Sequence, residues 1–153
     1  MKKLILKSLL SSLIVSAFFA VAYSAEPSAP PHPVALTKLK NLKVNELKTV
    51  DENTTLNEKE MRAQDEVFDA LEDAVNASLK DPSNMELQAE ILNVTIVMLK
   101  KDPTQFAAEV ILPYYEKNRK GFDSSVKKLS PENAKMVKEA VKSAAREKKK
   151  GNG

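Results

Sequence analysis

Between residues 57 and 79, apolar side chains recur at intervals of three and four positions, which places them on one face of an α-helix. Asn57, followed three residues later by Glu60, is the residue pair of a capping box and marks the start. The helix is expected to end at Asp81-Pro82, because proline cannot continue it. The inward residues of this first predicted helix are Met61, Val67, Phe68, Leu71, Ala74, Val75 and Leu79.

A second helix is predicted to start at Asp81 or Ser83, where Ser83 and Glu86 repeat the capping-box pattern. Its centre, from Ile91 to Leu99, is apolar on nearly all sides, as in a helix at the middle of a fold. The same run is rich in β-branched residues, so a buried strand is the alternative. Its length and its flanking caps favour the helix.

A third helix is predicted with Asp102 as its N-cap and Pro103 at its first position. Pro113 is expected to kink or split it, because the proline ring clashes with the preceding turn. Gly121 is the expected left-handed residue that ends it. The apolar face of this helix comprises Phe106, Ala107, Val110, Ile111, Tyr114 and Tyr115.

Ser130, Pro131 and an acid in the first turn open a last helix, after a connector over residues 122–129. Its inward stripe consists of small residues that allow a close helix neighbour: Ala134, Val137, Val141, Ala144 and Ala145. Glycine is scarce and alanine, leucine, lysine and glutamate are abundant. We therefore predict an all-α fold, a compact bundle of about four main helices over residues 55–150.

The first 24 residues have the pattern of a cleavable signal peptide. Lys2, Lys3 and Lys7 precede an uncharged, apolar stretch over residues 8–22, and small residues follow at the spacing that signal peptidase recognises. The stretch is shorter than the roughly 20 residues that span a bilayer. The pattern resembles bacterial signals and predicts a periplasmic or extracellular protein. A retained N-terminal anchor is the alternative.

Residues 25–54 link this signal to the helical domain. Four prolines lie within residues 26–33, which predicts an extended spacer. Residues 34–50 mix leucine, valine and lysine without a clean period, so a short helix and an extended strap are both possible. The single histidine, His32, falls in the spacer and is expected to be solvated.

The charges are divided sharply along the chain. The full sequence has 24 basic and 21 acidic residues; three of the lysines lie in the signal, so the remainder is neutral. Residues 46–116 contain 16 acids and 6 bases, whereas residues 117–153 contain 12 bases and 4 acids. The last helix could pack antiparallel to the acidic first helix and cancel the two fields, or the charged faces could stay apart and attract partners of opposite charge.

Catalytic chemistry is restricted by composition. The chain has no cysteine, which excludes disulfides and Cys-His nucleophiles. Its one histidine lies in the spacer, where nothing rigid is expected to hold it, so Ser-His nucleophiles and zinc hydrolase sites are not expected either. Paired carboxylates could serve acid–base chemistry or bind a hard cation, but a solvated helix face is the simpler interpretation. No cofactor or metal is therefore predicted. The aromatic residues around Pro113 are either core packing or a partner groove.

We expect an exported, non-catalytic protein that binds another envelope protein as an adaptor, an inhibitor or a chaperone-like accessory. The candidate partner-binding residues are Asp65, Asp69, Glu72, Asp73, Tyr114 and Tyr115. The alternative is binding of an anionic surface, either lipid, lipopolysaccharide or nucleic acid without sequence specificity, through the basic last helix. The candidate anion-binding residues are Lys135, Lys138, Lys142, Arg146, Lys148, Lys149 and Lys150. Membrane contact is expected only peripherally or through a retained signal.

Overall fold

The computed structural model describes residues 32–51, 53–102 and 104–151, and over these residues the fold is all-helical, without a strand. The predicted signal peptide and most of the proline-rich spacer lie outside the described residues. Seven α-helices and one 3₁₀ turn follow one another within this described part of the chain. They are α1 (His32–Asn41), the 3₁₀ turn (Val44–Glu46), α2 (Glu58–Lys80), α3 (Met85–Lys101), α4 (Phe106–Val110), α5 (Leu112–Lys117), α6 (Arg119–Val126) and α7 (Pro131–Gly151).

The start of α2 confirms the predicted capping box. The side chain of Asn57 accepts a hydrogen bond from the backbone N–H of Glu60 at 3.0 Å, and the Glu60 carboxylate accepts the N–H of Asn57 at 2.8 Å. Two backbone donors that a helix start leaves free are thereby satisfied. The helix ends at Lys80, with Asp81 as its C-cap.

The start of α3 corrects the prediction that Asp81 or Ser83 caps this helix. Asn84 is the N-cap, and its side chain accepts the N–H of Leu87 at 3.0 Å. Asp81 instead accepts the backbone N–H of Ser83 at 3.1 Å and also its hydroxyl, so both groups are engaged in the preceding turn. The apolar run from Ile91 to Leu99 lies within α3 and is helical, as predicted.

The turn after α3 also differs from the prediction. Asp102 ends α3 rather than starting the next helix, because its own N–H continues the α3 ladder to the carbonyl of Met98 at 2.7 Å. Gln105 then adopts a left-handed conformation, with φ of 62°, and α4 begins at Phe106. The chain breaks again at Ile111, between α4 and α5, and Pro113 lies in the first turn of α5.

Gly121 was predicted to end a helix in a left-handed conformation, and this prediction is wrong. It lies inside α6, and none of the described glycines has a positive φ. Asn118 ends α5 and caps α6, because its side chain accepts the N–H of Gly121 at 3.1 Å. A Cβ atom at Gly121 would lie 2.5 Å from Nδ2 of Asn118, so any other residue here would force the capping side chain to move. Helix α6 also occupies much of the connector that was predicted over residues 122–129.

Replacing Gly121 by alanine should therefore leave the free energy of unfolding unchanged or slightly lower it, because loss of the cap, about 1 kcal/mol, offsets the gain in helix propensity. In an ordinary helix the same change is stabilising by roughly 0.5–1 kcal/mol. Urea unfolding followed by circular dichroism measures the difference. Gly151→Ala is the matched control, since nothing lies within 4 Å of the Cβ position at Gly151. A Gly121→Ala protein more stable than the parent would contradict this account of the cap.

Helix α3 lies at the centre of the packing. It contacts α1, α2, α4, α6, α7 and the 3₁₀ turn, which explains why it is apolar on all sides. Its buried apolar residues are Leu87, Ile91, Leu92, Val94, Ile96 and Met98. Helix α1 packs on α2 and α3 through Ala35 and Leu39, and the N–H of Val50 donates to the carbonyl of Lys101 at 2.7 Å. The ambiguous residues 34–50 are thus a helix and a 3₁₀ turn joined to the core.

Within the residues described, no helix has both the length and the apolar character needed to cross a membrane.

Candidate protein-binding surface

The outer face of α2 carries three of the predicted partner-binding carboxylates. Asp65, Asp69 and Glu72 are exposed and lie three and four residues apart, and none forms an ion pair with a described residue. Asp73 differs, because its carboxylate contacts Nζ of Lys38 at 2.9 Å and thereby ties α2 to α1. Three free negative charges consequently face solvent in one row.

An aromatic pair lies beside this row. Phe68 is three residues after Asp65 and four before Glu72, so the three side chains share one side of α2. The ring of Phe106 on α4 meets the Phe68 ring edge to face, with ring centroids 4.7 Å apart. Phe106 is 45% exposed, although the sequence pattern placed it on an inward face. We name Asp65, Phe68, Asp69, Glu72 and Phe106 the acidic-aromatic surface.

The same pattern wrongly placed Met61 in the core, since Met61 is 47% exposed. It precedes Phe68 by two helical turns on α2. Periodicity alone did not distinguish a side chain at the edge of the apolar stripe from one at its centre. The signal that could have identified the surface is the acid spacing, because Asp65 and Glu72 lie three residues before and four residues after Phe68 on the same side of the helix.

Phe106 is positioned by a turn that is joined to α2. The carboxylate of Asp102, itself buried, accepts the N–H of Thr104 at 2.9 Å and the side-chain amide of Gln64 at 3.3 Å. The hydroxyl of Thr104 in turn accepts the N–H of Phe106 at 3.4 Å. The turn therefore holds Phe106 against Phe68 in the folded protein.

The two predicted tyrosines occupy different environments. Tyr114 is fully buried, and its hydroxyl donates to Oε1 of Gln88 at 3.1 Å and lies 3.3 Å from Oγ of Ser125. Burial raises the pKa of Tyr114 to about 12, and the hydrogen bond with Ser125 opposes this shift. Tyr115 is half-buried, and the guanidinium carbon of Arg119 lies 4.1 Å from its ring centroid. Tyr114 thus belongs to the core and is not accessible to a partner.

The basic residues of α7 form a second charged surface. Five of the predicted anion-binding side chains recur every three or four residues, are exposed and lie opposite the buried face of the helix. We name Lys135, Lys138, Lys142, Arg146 and Lys149 the basic stripe. Lys135 is 3.9 Å from the Glu139 carboxylate. Lys148 and Lys150 lie outside the stripe. Nζ of Lys148 is 2.9 Å from the Glu116 carboxylate, and Nζ of Lys150 is 2.8 Å from the Glu147 carboxylate.

The two charged surfaces lie on helices α2 and α7, which are not among each other's main packing partners. Helix α7 packs against α3, α4 and α5, so the alternative in which it packs antiparallel to α2 and cancels its charge is wrong. The central helix α3 contacts both α2 and α7. Negative and positive surfaces therefore remain separately available.

Two surface grooves lie next to these helices. One, of about 660 Å³, runs between the segment that follows α1 and the first half of α2, with Leu42, Leu47 and Leu56 among its lining. The other, of about 570 Å³, lies between the end of α3, the turn at Gln105 and α7. Lys142 and Arg146 of the basic stripe line this second groove.

His32 and the carboxylates do not form a metal centre. In the part of the chain that the structure describes, no three histidine, aspartate or glutamate side chains converge as metal ligands. His32 is not the solvated spacer residue that was expected. It opens α1, is partly buried, and its Nε2 lies 4.0 Å from a carboxylate oxygen of Asp81.

Comparisons of the chain with protein-family models, with curated proteins and with solved structures found no match. The function is therefore inferred from the sequence and from the surfaces described above.

Proposed function

We propose that this protein is an exported, non-catalytic helical protein, periplasmic or extracellular, that binds another protein of the cell envelope as an adaptor, an inhibitor or a chaperone-like accessory. The observation that carries this proposal is the acidic-aromatic surface. The signal-peptide pattern of residues 1–24 supports the location. The absence of cysteine supports a role other than cysteine-dependent nucleophilic catalysis.

The partner's contact region carries lysine or arginine side chains around an apolar group. Exposed aromatic rings are favourable anchors at protein interfaces, because they bury a large area and lose little side-chain entropy. The Phe68–Phe106 pair offers such an anchor, and its exposed ring accepts a cation as readily as an apolar side chain. Asp65, Asp69 and Glu72 attract a basic partner and disfavour an acidic one.

Phe106→Ser should lower retention of this partner about tenfold or more, because the interface with the partner loses the Phe106 ring at its centre. We would measure retention by chemical cross-linking and affinity capture from an envelope extract, with the wild-type protein as the reference bait. Val34→Ser is the matched control, since Val34 on α1 is 52% exposed and lies outside the acidic-aromatic surface. Partner retention that survives Phe106→Ser, or that falls equally with Val34→Ser, would overturn the proposal.

Binding of an anionic lipid, lipopolysaccharide or nucleic acid surface is a second candidate function. It is favoured by the arrangement of the basic stripe, in which four of the five side chains form no ion pair with a described residue. A third bait in the capture experiment, with Lys138, Lys142 and Arg146 changed to glutamine, separates the two functions. Material that the Phe106→Ser bait captures, but that this third bait does not capture, binds through the basic stripe.

A further inference from the structure

The groove between α3 and α7 combines an apolar floor with a cationic edge. Leu99 of α3 and Met136 and Ala140 of α7 provide the apolar part, and all three are buried or half-buried. Lys142 and Arg146 lie four residues apart and line the same groove. Its volume of about 570 Å³ is within the range of small-molecule sites, roughly 300–1,000 Å³.

The charged side chains that line this groove are two bases and one acid. Neither Lys142 nor Arg146 forms an ion pair with a described residue. Glu139, the one acid in the lining, is 3.9 Å from Nζ of Lys135, which lies outside the groove. An anion that enters therefore meets two free cations.

Gln105 adds a polar group to the lining and is the one described non-glycine residue with a positive φ. A left-handed conformation is costly for residues other than glycine and is often kept at functional sites. The side-chain amide of Gln105 can both donate and accept hydrogen bonds, as can the hydroxyl of Ser143, which also lines the groove.

We propose that this groove binds one single-chain anionic amphiphile. The hydrocarbon chain lies over Leu99, Met136 and Ala140, and the carboxylate or phosphate head is held by Lys142 and Arg146, with Gln105 beside it. This proposal goes beyond the proposed function, because it requires neither a partner protein nor a lipid surface. A free phosphate offers nothing for the apolar floor to bind, and a neutral amphiphile offers nothing for the two cations.

The test is isothermal titration calorimetry of the protein with dodecyl phosphate and with laurate, each below its micelle-forming concentration. We expect one-to-one binding of at least one of these two anions and none of inorganic phosphate or of dodecyl maltoside. Binding of only one anion identifies the head group. Absence of binding by both, or equal binding of the neutral amphiphile, would overturn the proposal.

Two double variants locate the site. Lys142→Gln with Arg146→Gln should weaken binding about tenfold or more, because charge-assisted contacts to the head group are lost. Lys138→Gln with Lys149→Gln removes the same charge from the same basic stripe but from outside the groove lining, and should leave affinity within about twofold. Equal weakening by both pairs would show general attraction to the stripe and refute the groove. Because no partner protein is present, the result is independent of the capture experiment.

Discussion

Phe122→Ala is expected to lower the free energy of unfolding by about 3–5 kcal/mol, the usual cost of deleting a buried ring. Phe122 is fully buried on α6, with the Tyr114 ring at 5.6 Å and the Tyr115 ring at 5.1 Å between centroids. Both pairs meet edge to face, so the substitution removes favourable ring contacts as well as buried area. Urea unfolding followed by circular dichroism measures the loss.

The same substitution at Phe106 is the control for this prediction. Phe106 has one ring neighbour, Phe68, and is 45% exposed, so Phe106→Ala should cost about 1 kcal/mol. Since domains of this size are stable by about 5–15 kcal/mol, the Phe122 variant is expected to be markedly weakened and the Phe106 variant to remain folded. Similar losses at the two positions would contradict the assignment of Phe122 to the core and Phe106 to the surface.

Stability is expected to fall steeply between pH 10 and pH 12, and Tyr114→Phe should make this fall shallower. Below pH 10, Tyr114 is protonated in both the folded and the unfolded states. As the pH rises above 10, the unfolded chain loses this proton, whereas burial raises the pKa in the folded protein to about 12. The folded state therefore loses up to about 3 kcal/mol relative to the unfolded state by pH 12.

The measurement compares the unfolding free energies of the wild type and Tyr114→Phe at pH 8 and from pH 10 to pH 12. All other ionisable groups are the same in the two proteins, so the difference between the two curves isolates the phenol. At pH 8 the variant should be less stable by about 1 kcal/mol, because Oε1 of Gln88 loses the hydrogen bond from the Tyr114 hydroxyl. The hydrogen bond from the Ser125 hydroxyl to the same oxygen remains. Parallel curves would show that Tyr114 is not held protonated by the fold.

The helical class and the start of α2 could be predicted from sequence because they depend on local patterns. Which of several neighbouring residues caps each helix could not be predicted from these local patterns. Ser83, Asn84 and Asp102 are all competent cap residues. Local hydrogen bonds engage Ser83 with Asp81 and make Asn84 the N-cap of α3, and contacts from distant residues also act on Asp102. The carboxylate of Asp102, for example, binds the side chain of Gln64, which lies 38 positions earlier. Such a bond depends on how α2 packs against the end of α3.

Of the candidate surfaces, too, one part could be predicted from the sequence and another part could not. The acids Asp65, Asp69 and Glu72 and the basic stripe follow from helical spacing, and the structure shows both sets exposed. The aromatic half of the first surface joins Phe68 to Phe106 across two helices, and no spacing rule connects them. Tyr114 is buried beside half-buried Tyr115 because its side chain reaches Gln88 of α3 and Phe122 of α6, which are far from it in the helical pattern.

The turn between α3 and α4 contributes one residue to each of the two proposed sites. Gln105 lines the groove on one side of this turn, and Phe106, the next residue, belongs to the acidic-aromatic surface on the other. A ligand that displaces the turn at either site changes the geometry of both. Linkage is reciprocal, so the factor by which an amphiphile alters the affinity for the partner is also the factor by which the partner alters the affinity for the amphiphile.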